Sequence, residues 1–369
     1  MNSLEKYDKM LSLKPYADRT EMPVYPMILT WCGKAAGIKQ SEIIASNKSW
    51  IKAMDKTFSI VGKPDCCMPT SAGQAVFAMT MPARIPGRDL DDDVLYQFIE
   101  KPNMTEADYD LIAKEGWNAF FYPYCMRIQN PELKSKMKLI LKFVKLGILN
   151  TLNTKHFNKE GMATSYDYAV YPPFDMMSLI RSFEPFLMDL IDEDLEGKIQ
   201  DALRKANPEV IKDCIANTKR FGGKKICIYA MRSSCSFVSS DIFEEFSWPY
   251  LKEMILEFHK AGIISVIHAD GNWLPHLHYF KDLPKGCVHF ELDGTTDIFK
   301  AYEILGGYQS MRGDVPSTLF AFKTPDDVRE YCEKLIKLGM NGGFMLGSGC
   351  EVPLNAKAEN VKAMIDSVR

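Results

Sequence analysis

The sequence has no excess of charge of either sign. Its 45 Lys and Arg residues meet 48 Asp and Glu, a net charge of -3, and without a basic surplus a phosphate-backbone binder loses its main source of affinity. Nucleic acid is therefore not expected as a partner. Long apolar runs are missing too. The longest mainly apolar stretch, around residues 261–267, falls well short of the ~20 residues that span a bilayer, so no membrane span or anchor is expected. The opening Met1-Asn2-Ser3-Leu4-Glu5-Lys6-Tyr7-Asp8 lacks the apolar core of a secretion signal, which sets a cytoplasmic location as the expectation. There is no Gly-x-Ser-x-Gly elbow for a serine hydrolase. Neither a phosphate-binding loop nor a dinucleotide fingerprint is present, and no linker of low complexity or internal repeat divides the chain.

What is there can build a large core: 369 residues, 46% hydrophobic and 25% charged, a balance far from that of a disordered chain. Length alone suggests about two domains. Ten cysteines, at 32, 66, 67, 125, 214, 227, 235, 287, 332 and 350, are scattered through the chain. In a reducing compartment most would be small buried hydrophobes and a few could be metal ligands or nucleophiles.

The second half alternates short runs rich in Ile, Val and Phe with longer stretches of helical period, which is βα repetition. Strands are expected at 225–230, 263–268, 288–292, 308–311 and 343–346, apolar at consecutive positions as strands covered on both faces should be. Thr324 with Pro325, Asp326 and Asp327 reads as a helix start and Gly339 as its stop. Its apolar stripe is Val328, Tyr331, Leu335 and Leu338, and a last helix from about 356 buries Val361, Met364, Ile365 and Val368. In the first half, 24–29, 64–69 and 117–122 are the expected strands, making about eight in all. Eight strands in βα alternation predict a closed (β/α)8 TIM barrel with N-terminal and inserted helices, with an open doubly wound sheet as competitor. Residues 82–115 and 151–222 are then insertions and helical cover, and 1–369 is a single barrel domain.

Such a barrel places its active site at the carboxyl ends of its strands. The residues there are polar: Arg232, then His268 with Asp270, Glu291 with Asp293, Arg312 with Asp314, and Cys350 with Glu351. His268 and Asp270, two apart, can point the same way, and Cys350 follows Gly347-Ser348-Gly349 in what reads as a turn open to close approach. Imidazole, carboxylate and thiolate together suit Zn2+. The same residues would serve equally as a buried thiol, a satisfied histidine and loop-capping acids, and spacing alone leaves both readings open. Five of the six histidines lie between 259 and 289, but only His268 is well placed. His259 ends a helix, His276 and His278 sit two apart in a helical turn and so do not face each other, and His289 lies within a strand.

The stretches His268-Ala269-Asp270-Gly271, Gly313-Asp314-Val315-Pro316 and Gly347-Ser348-Gly349-Cys350-Glu351-Val352-Pro353-Leu354-Asn355, followed by Glu359-Asn360-Val361-Lys362-Ala363-Met364 and preceded far upstream by Pro23 to Met27, resemble the uroporphyrinogen decarboxylase family. The likeness is nearest to its zinc-dependent corrinoid methyltransferases. The resemblance implies a (β/α)8 barrel and zinc ligands at His268 and Cys350, with Glu291 able to complete the shell. It also implies a corrinoid (cobalamin) carried by a separate corrinoid-binding protein. Where thiol-methylating members have cysteine, this chain has Asp270. A harder, oxygen-containing shell suits polarisation of an oxygen substrate better than activation of a thiol, which favours cleavage of a small methoxylated, aromatic ether. Glu291 and Asp270 are the candidate catalytic acids.

The decarboxylases of the family use arginines in a Met-Arg-Gln-Ala-Gly-Arg stretch after the first strand. Here Met27-Ile28-Leu29-Thr30-Trp31-Cys32-Gly33-Lys34 has none, so a polycarboxylate would go unpaired. Tyr25, Trp31 and Cys32, with Tyr122, Tyr124, Met126 and Arg312, are candidates for the substrate wall, although aromatics at 11% of the chain fill any core. Transfer of methyl from a methylcobamide to a thiol or to tetrahydrofolate is the alternative activity, and a non-enzymatic binding barrel the third.

Overall fold

The computed structural model describes residues 1–78, 81–129 and 135–369. Among the described residues there are eleven strands: β1 Val24–Met27, β2 Cys66–Cys67, β3 Ala83–Arg84, β4 Gln97–Phe98, β5 Ala163–Thr164, β6 Tyr168–Val170, β7 Lys225–Ala230, β8 Ile264–Ala269, β9 Val288–Leu292, β10 Ser310–Val315 and β11 Phe344–Glu351. Seven form one parallel sheet in the order β1-β11-β10-β9-β8-β7-β6. The gap between β1 and β6 is filled by β2, which pairs in parallel with β5, just upstream of β6. Asp65 joins the edges: its N–H donates to Val24 O (3.0 Å), its C=O accepts from Ala163 N (2.8 Å), and Cys67 O accepts from Ser165 N (3.0 Å). Counting β5 and β6 as one broken strand, eight strands close a (β/α)8 barrel, wrapped by helices such as Asn47–Val61, Lys136–Lys159, Glu196–Arg220, Trp248–Lys260 and Pro325–Gly339.

Local chemistry explains the clearer elements. β7, β8 and β9 are almost wholly buried, as their unbroken apolar runs require. Helix Pro325–Gly339 starts on a capping box in which Thr324 and Asp327 satisfy each other's backbone N–H groups. The N-terminal helix Ser3–Leu11 closes the amino end of the barrel, where Tyr7 packs edge-on against His289 (6.5 Å) and donates to Ser165 O (2.9 Å).

Several expectations are corrected. Residues 117–122 are the start of helix Trp117–Gln129. Their aromatics recur at helical rather than strand spacing, so that Trp117 stacks on Phe121 (5.4 Å) and Phe120 on Tyr124 (5.7 Å). The third barrel strand lies instead within 151–222, broken into β5 and β6 by Ser165-Tyr166-Asp167. The 82–115 insertion holds the antiparallel β3–β4 hairpin as well as helix Glu106–Glu115. β10 and β11 run further than expected, so Arg312, Asp314 and Cys350 are strand residues rather than loop residues.

The hairpin insertion is tied across the carboxyl end of the barrel. Asp92 pairs with Lys39 on the β1 side (2.6 Å), and Glu100 binds Arg232, just beyond β7, through both carboxylate oxygens (2.8 and 2.9 Å). Among the described residues no helix is long and apolar enough to cross a membrane. All ten cysteines are free thiols.

Candidate metal centre

Parallel register builds the site. Tyr229 on β7 is the register partner of His268 on β8, His268 of Glu291 on β9, and Glu291 of Arg312 on β10. These four side chains interact as a row across the barrel interior. His268 Nδ1 meets Glu291 Oε2 at 3.1 Å, Glu291 Oε1 lies 3.7 Å from Arg312 Nε, and the Tyr229 ring stands edge-on to the imidazole at 5.5 Å. Arg312 also donates to Ser348 O (2.8 Å) and Gly349 O (3.4 Å), and its guanidinium lies 4.9 Å from the centre of the Tyr25 ring. A Cβ at Gly347 would lie 2.4 Å from Arg312 Cγ, and one at Gly349 only 2.5 Å from Asp293 O. Both glycines are therefore needed for close packing of β11, although this stretch is strand and not turn. Ser348 Oγ accepts from Met27 N (2.9 Å) and donates to Cys350 O (2.7 Å), which pins the strand end that carries Cys350.

Toward the mouth, His268, Asp270 and Cys350 bring one ligand atom each within 4.8 Å of one another. His268 presents Nε2 to this group, 3.5 Å from Asp270 Oδ1, while its Nδ1 faces Glu291. One nitrogen is thus free to bind a cation and the other is held by a carboxylate, the arrangement that orients metal-binding histidines. The donor set of nitrogen, oxygen and sulfur fits zinc, with room for an exchangeable fourth position. The surroundings suit a cation as well. Burial works against charge on His268, but Asp270, Cys350 and Glu291 outweigh it and raise its pKa well above the ordinary value. Burial would also raise Glu291, yet Arg312 and His268 bring it down to about 2, so it stays ionised behind the ring.

The structure separates the residues named from sequence. His268, Asp270 and Cys350 converge, whereas Glu291 stands behind His268 and outside the donor cluster. Tyr25, Trp31, Cys32, Tyr124 and Arg312 are all fully buried and do not form an open wall. Trp31 Nε1 donates to Ala356 O (3.1 Å), Cys32 packs at Leu29 O (3.3 Å), and Tyr124 stacks within helix Trp117–Gln129. Tyr122 and Met126 belong to that same helix. His289 bonds Ser310 Oγ (2.9 Å) deep in the barrel, and His276 stacks on Phe243 (3.8 Å) while meeting Cys235 Sγ at 3.0 Å.

The aromatics near the donors are others. Tyr171 stacks on Tyr229 (5.0 Å), and the hydroxyls of Tyr229 and Tyr166 lie 3.3 Å apart. Tyr96 has its pKa raised by burial and then by nearby Glu351 and Cys350. Tyr96, Tyr166 and Tyr171 come from segments whose sequence reads as insertion or cover. The signal that could have found them is the Tyr-rich 166–171 stretch, with Tyr166, Tyr168 and Tyr171.

Comparisons with known proteins agree with this architecture. The family model described as uroporphyrinogen decarboxylase (URO-D) matches residues 169–369. A uroporphyrinogen decarboxylase from Dichelobacter nodosus (strain VCS1703A) is 30% identical over 130 residues, 34% of this chain and 35% of that protein. One from Anaeromyxobacter dehalogenans (strain 2CP-C) is 30% identical over 125 residues, with the same shares. The matches thus span 35% of the length of these curated relatives. Among solved structures, a methyltransferase from Methanosarcina mazei superposes with a TM-score of 0.65 at 16% identity, covering 100% of this chain and 98% of its own; the likeness is one of fold.

Proposed function

The chain belongs to the uroporphyrinogen decarboxylase family, and from that premise we propose that it is a zinc-dependent methyltransferase, moving a methyl group from a methoxylated, aromatic ether to the Co(I) corrinoid of a separate protein. The observation that carries this reading is the convergence of His268, Asp270 and Cys350 at the mouth of the barrel. In the overall transfer the methyl–oxygen bond breaks and a methyl–cobalt bond forms. Co(I) supplies both electrons of the new bond and ends as Co(III), and the oxygen leaves with the old pair and is protonated to the phenol. Zinc, when bound, supplies Lewis-acid stabilisation of the charge gathering on that oxygen.

The chain's own residues do the rest. His268 Nε2, Cys350 Sγ and an oxygen of Asp270 would hold the metal. Glu291 keeps the imidazole in one tautomer, and Tyr171, Tyr229 and Tyr96 shield the site from water on one side. Around the mouth, Val94, Leu95 and Ile99 of the hairpin and Phe237 after β7 are 38–41% exposed, an apolar rim that suits docking of the corrinoid protein. The nearest cations are already engaged, Arg312 by Glu291 and Arg232 by Glu100, and Lys34 is the only one in 27–34. That counts against a polycarboxylate substrate. Ten free thiols suit a cytoplasmic protein.

The test is direct. Purified protein should carry about one zinc per chain and release phenol from an aryl methyl ether only with a reduced corrinoid protein. Chelator-insensitive activity would sink the proposal. Demethylation of methylcobalamin by coenzyme M, homocysteine or tetrahydrofolate would select the alternative methyl transfer, and release of CO2 from uroporphyrinogen would select decarboxylation.

A further inference from the structure

Helix Lys136–Lys159 carries an apolar row on its outer side that, among the described residues, nothing covers. Met137, Leu141, Ile148 and Leu152 are 64%, 59%, 47% and 54% exposed, with Val144 half-buried between them. At ~100° per residue these five fall within one narrow arc, opposite the face that buries Leu139, Asn153 and Phe157. Met137, Leu141, Val144 and Ile148 follow one another at alternating steps of four and three residues, the spacing of the seam between two coiled helices. The row spans about 20 Å at 1.5 Å per residue.

Charge along this helix has one sign. It holds Lys136, Lys138, Lys142, Lys145, Lys155, Lys159 and His156, and neither Asp nor Glu. Lys136 and Lys142 lie over the rings of Tyr122 (4.7 Å) and Phe77 (3.9 Å). Lys138 and Lys145 both lie along one edge of the seam and, among the described residues, make no ion pair. In a protein of net charge -3 this is a concentrated cationic strip beside exposed apolar groups.

We propose that this face docks an acidic amphipathic helix of a partner protein, with apolar residues at seam spacing and Asp or Glu opposite Lys138 and Lys145. A second copy of the same helix would set lysine against lysine across a twofold axis, which like-charge repulsion disfavours. An anionic lipid surface would call for a broader apolar face free to sink into the headgroups. This one is a narrow seam, and the helix is locked from behind by Phe157 against Trp50 (5.9 Å) and by the close approach of Gly147 to the Phe221 ring. The inference does not depend on the chemistry assigned to the metal centre.

The test uses the full chain and a labelled synthetic peptide of about three heptads with Leu at seam positions and Glu beside them, read by fluorescence anisotropy. A peptide with Lys in place of Glu is the control. The expected result is binding of the Glu peptide about tenfold or more tighter than the Lys peptide, weakening with salt. Leu141→Glu with Ile148→Glu should lower that binding about tenfold, with circular dichroism unchanged because both sites are exposed. Lys138→Glu with Lys145→Glu should reverse the peptide preference. Equal binding of both peptides, or no binding, overturns the proposal. So does sedimentation with phosphatidylglycerol vesicles, or dimerisation of the chain alone, that Leu141→Glu abolishes.

Discussion

Two layers of the barrel, one residue pair apart along the same strands, behave differently. The inner row of Tyr229, His268, Glu291 and Arg312 is closed on itself: the Glu291 and Arg312 side chains are 2% and 0% exposed, and each ionised group faces another in the row. Two residues further along, Asp270, Asp293 and Asp314 form an outer row of carboxylates, with Asp270 24% exposed and Cys350 beside it. Asp270 lies close enough to Asp293 for their charges to repel, while Asp314 turns to Tyr331 on the covering helix Pro325–Gly339 (2.8 Å). The inner row is sealed from solvent, whereas the outer one reaches it at Asp270, and His268 belongs to both through its two nitrogens.

Breaking the outer layer should have the largest effect. Cys350→Ala or His268→Ala should empty the zinc site and reduce methyl transfer by more than the roughly 10–100-fold typical of outer-shell partners, measured by metal analysis and phenol release, while leaving the fold intact. Next comes the inner layer. Arg312→Met removes the cation that faces Glu291 and leaves this buried carboxylate with His268 alone; it should cost about 3–5 kcal/mol in urea unfolding, with Arg312→Met combined with Glu291→Gln recovering much of it. If Arg312→Met left stability unchanged, the inner row would not be a support at all.

Smaller again is Glu291→Gln, which keeps the shape but weakens the hold on His268 Nδ1. Zinc affinity should fall roughly 10–100-fold without loss of the bound stoichiometry at saturation. A complete loss would make Glu291 a ligand and collapse the distinction between the layers.

The smallest effect concerns Asp314, whose pKa burial pushes up to about 7, against a donated hydrogen bond from Tyr331 (2.8 Å). Since the folded value lies above the ordinary 3.8, its protonated form favours the fold. That contribution is fully present below 3.8 and lost as pH rises through about 7. Asp314→Asn should therefore flatten the melting-temperature profile over this range and melt above wild type at about pH 8, roughly one unit past the folded value. An unchanged profile would place the titration elsewhere.

How much of this could be read in advance depends on where the information sits. β7 to β9 announce themselves because burial on both faces leaves unbroken apolar runs, and Thr324 marks its helix by capping chemistry. Residues 163–170 do not, since β5 and β6 are two and three residues long and are held by pairing to distant strands rather than by local preference. Residues 117–122 mislead because aromatics favour strands in general, while only their spacing shows the helix. At the site, His268, Asp270 and Cys350 were legible as polar residues at strand ends. The division of labour between Glu291 and Asp270 was not, because it depends on which imidazole nitrogen each faces, and that is set by register between strands. Tyr96 reaches the site only through a hairpin insertion, a long-range placement that no local pattern encodes.

The join at Asp65 gives the barrel a mechanical grain. Besides its two main-chain bonds, its carboxylate accepts from Val24 N (3.1 Å) and Ser3 Oγ (2.9 Å) and pairs with Lys6 (3.1 Å). One residue thus laces the first strand, the third strand and the N-terminal helix where the strand between them is only two residues long. The wall opposite is a continuous ladder from β7 to β11. Breathing of the barrel should concentrate along this lacing, with the amides of Val24, Ala163 and Ser165 exchanging their hydrogens ahead of those in β8 and β9.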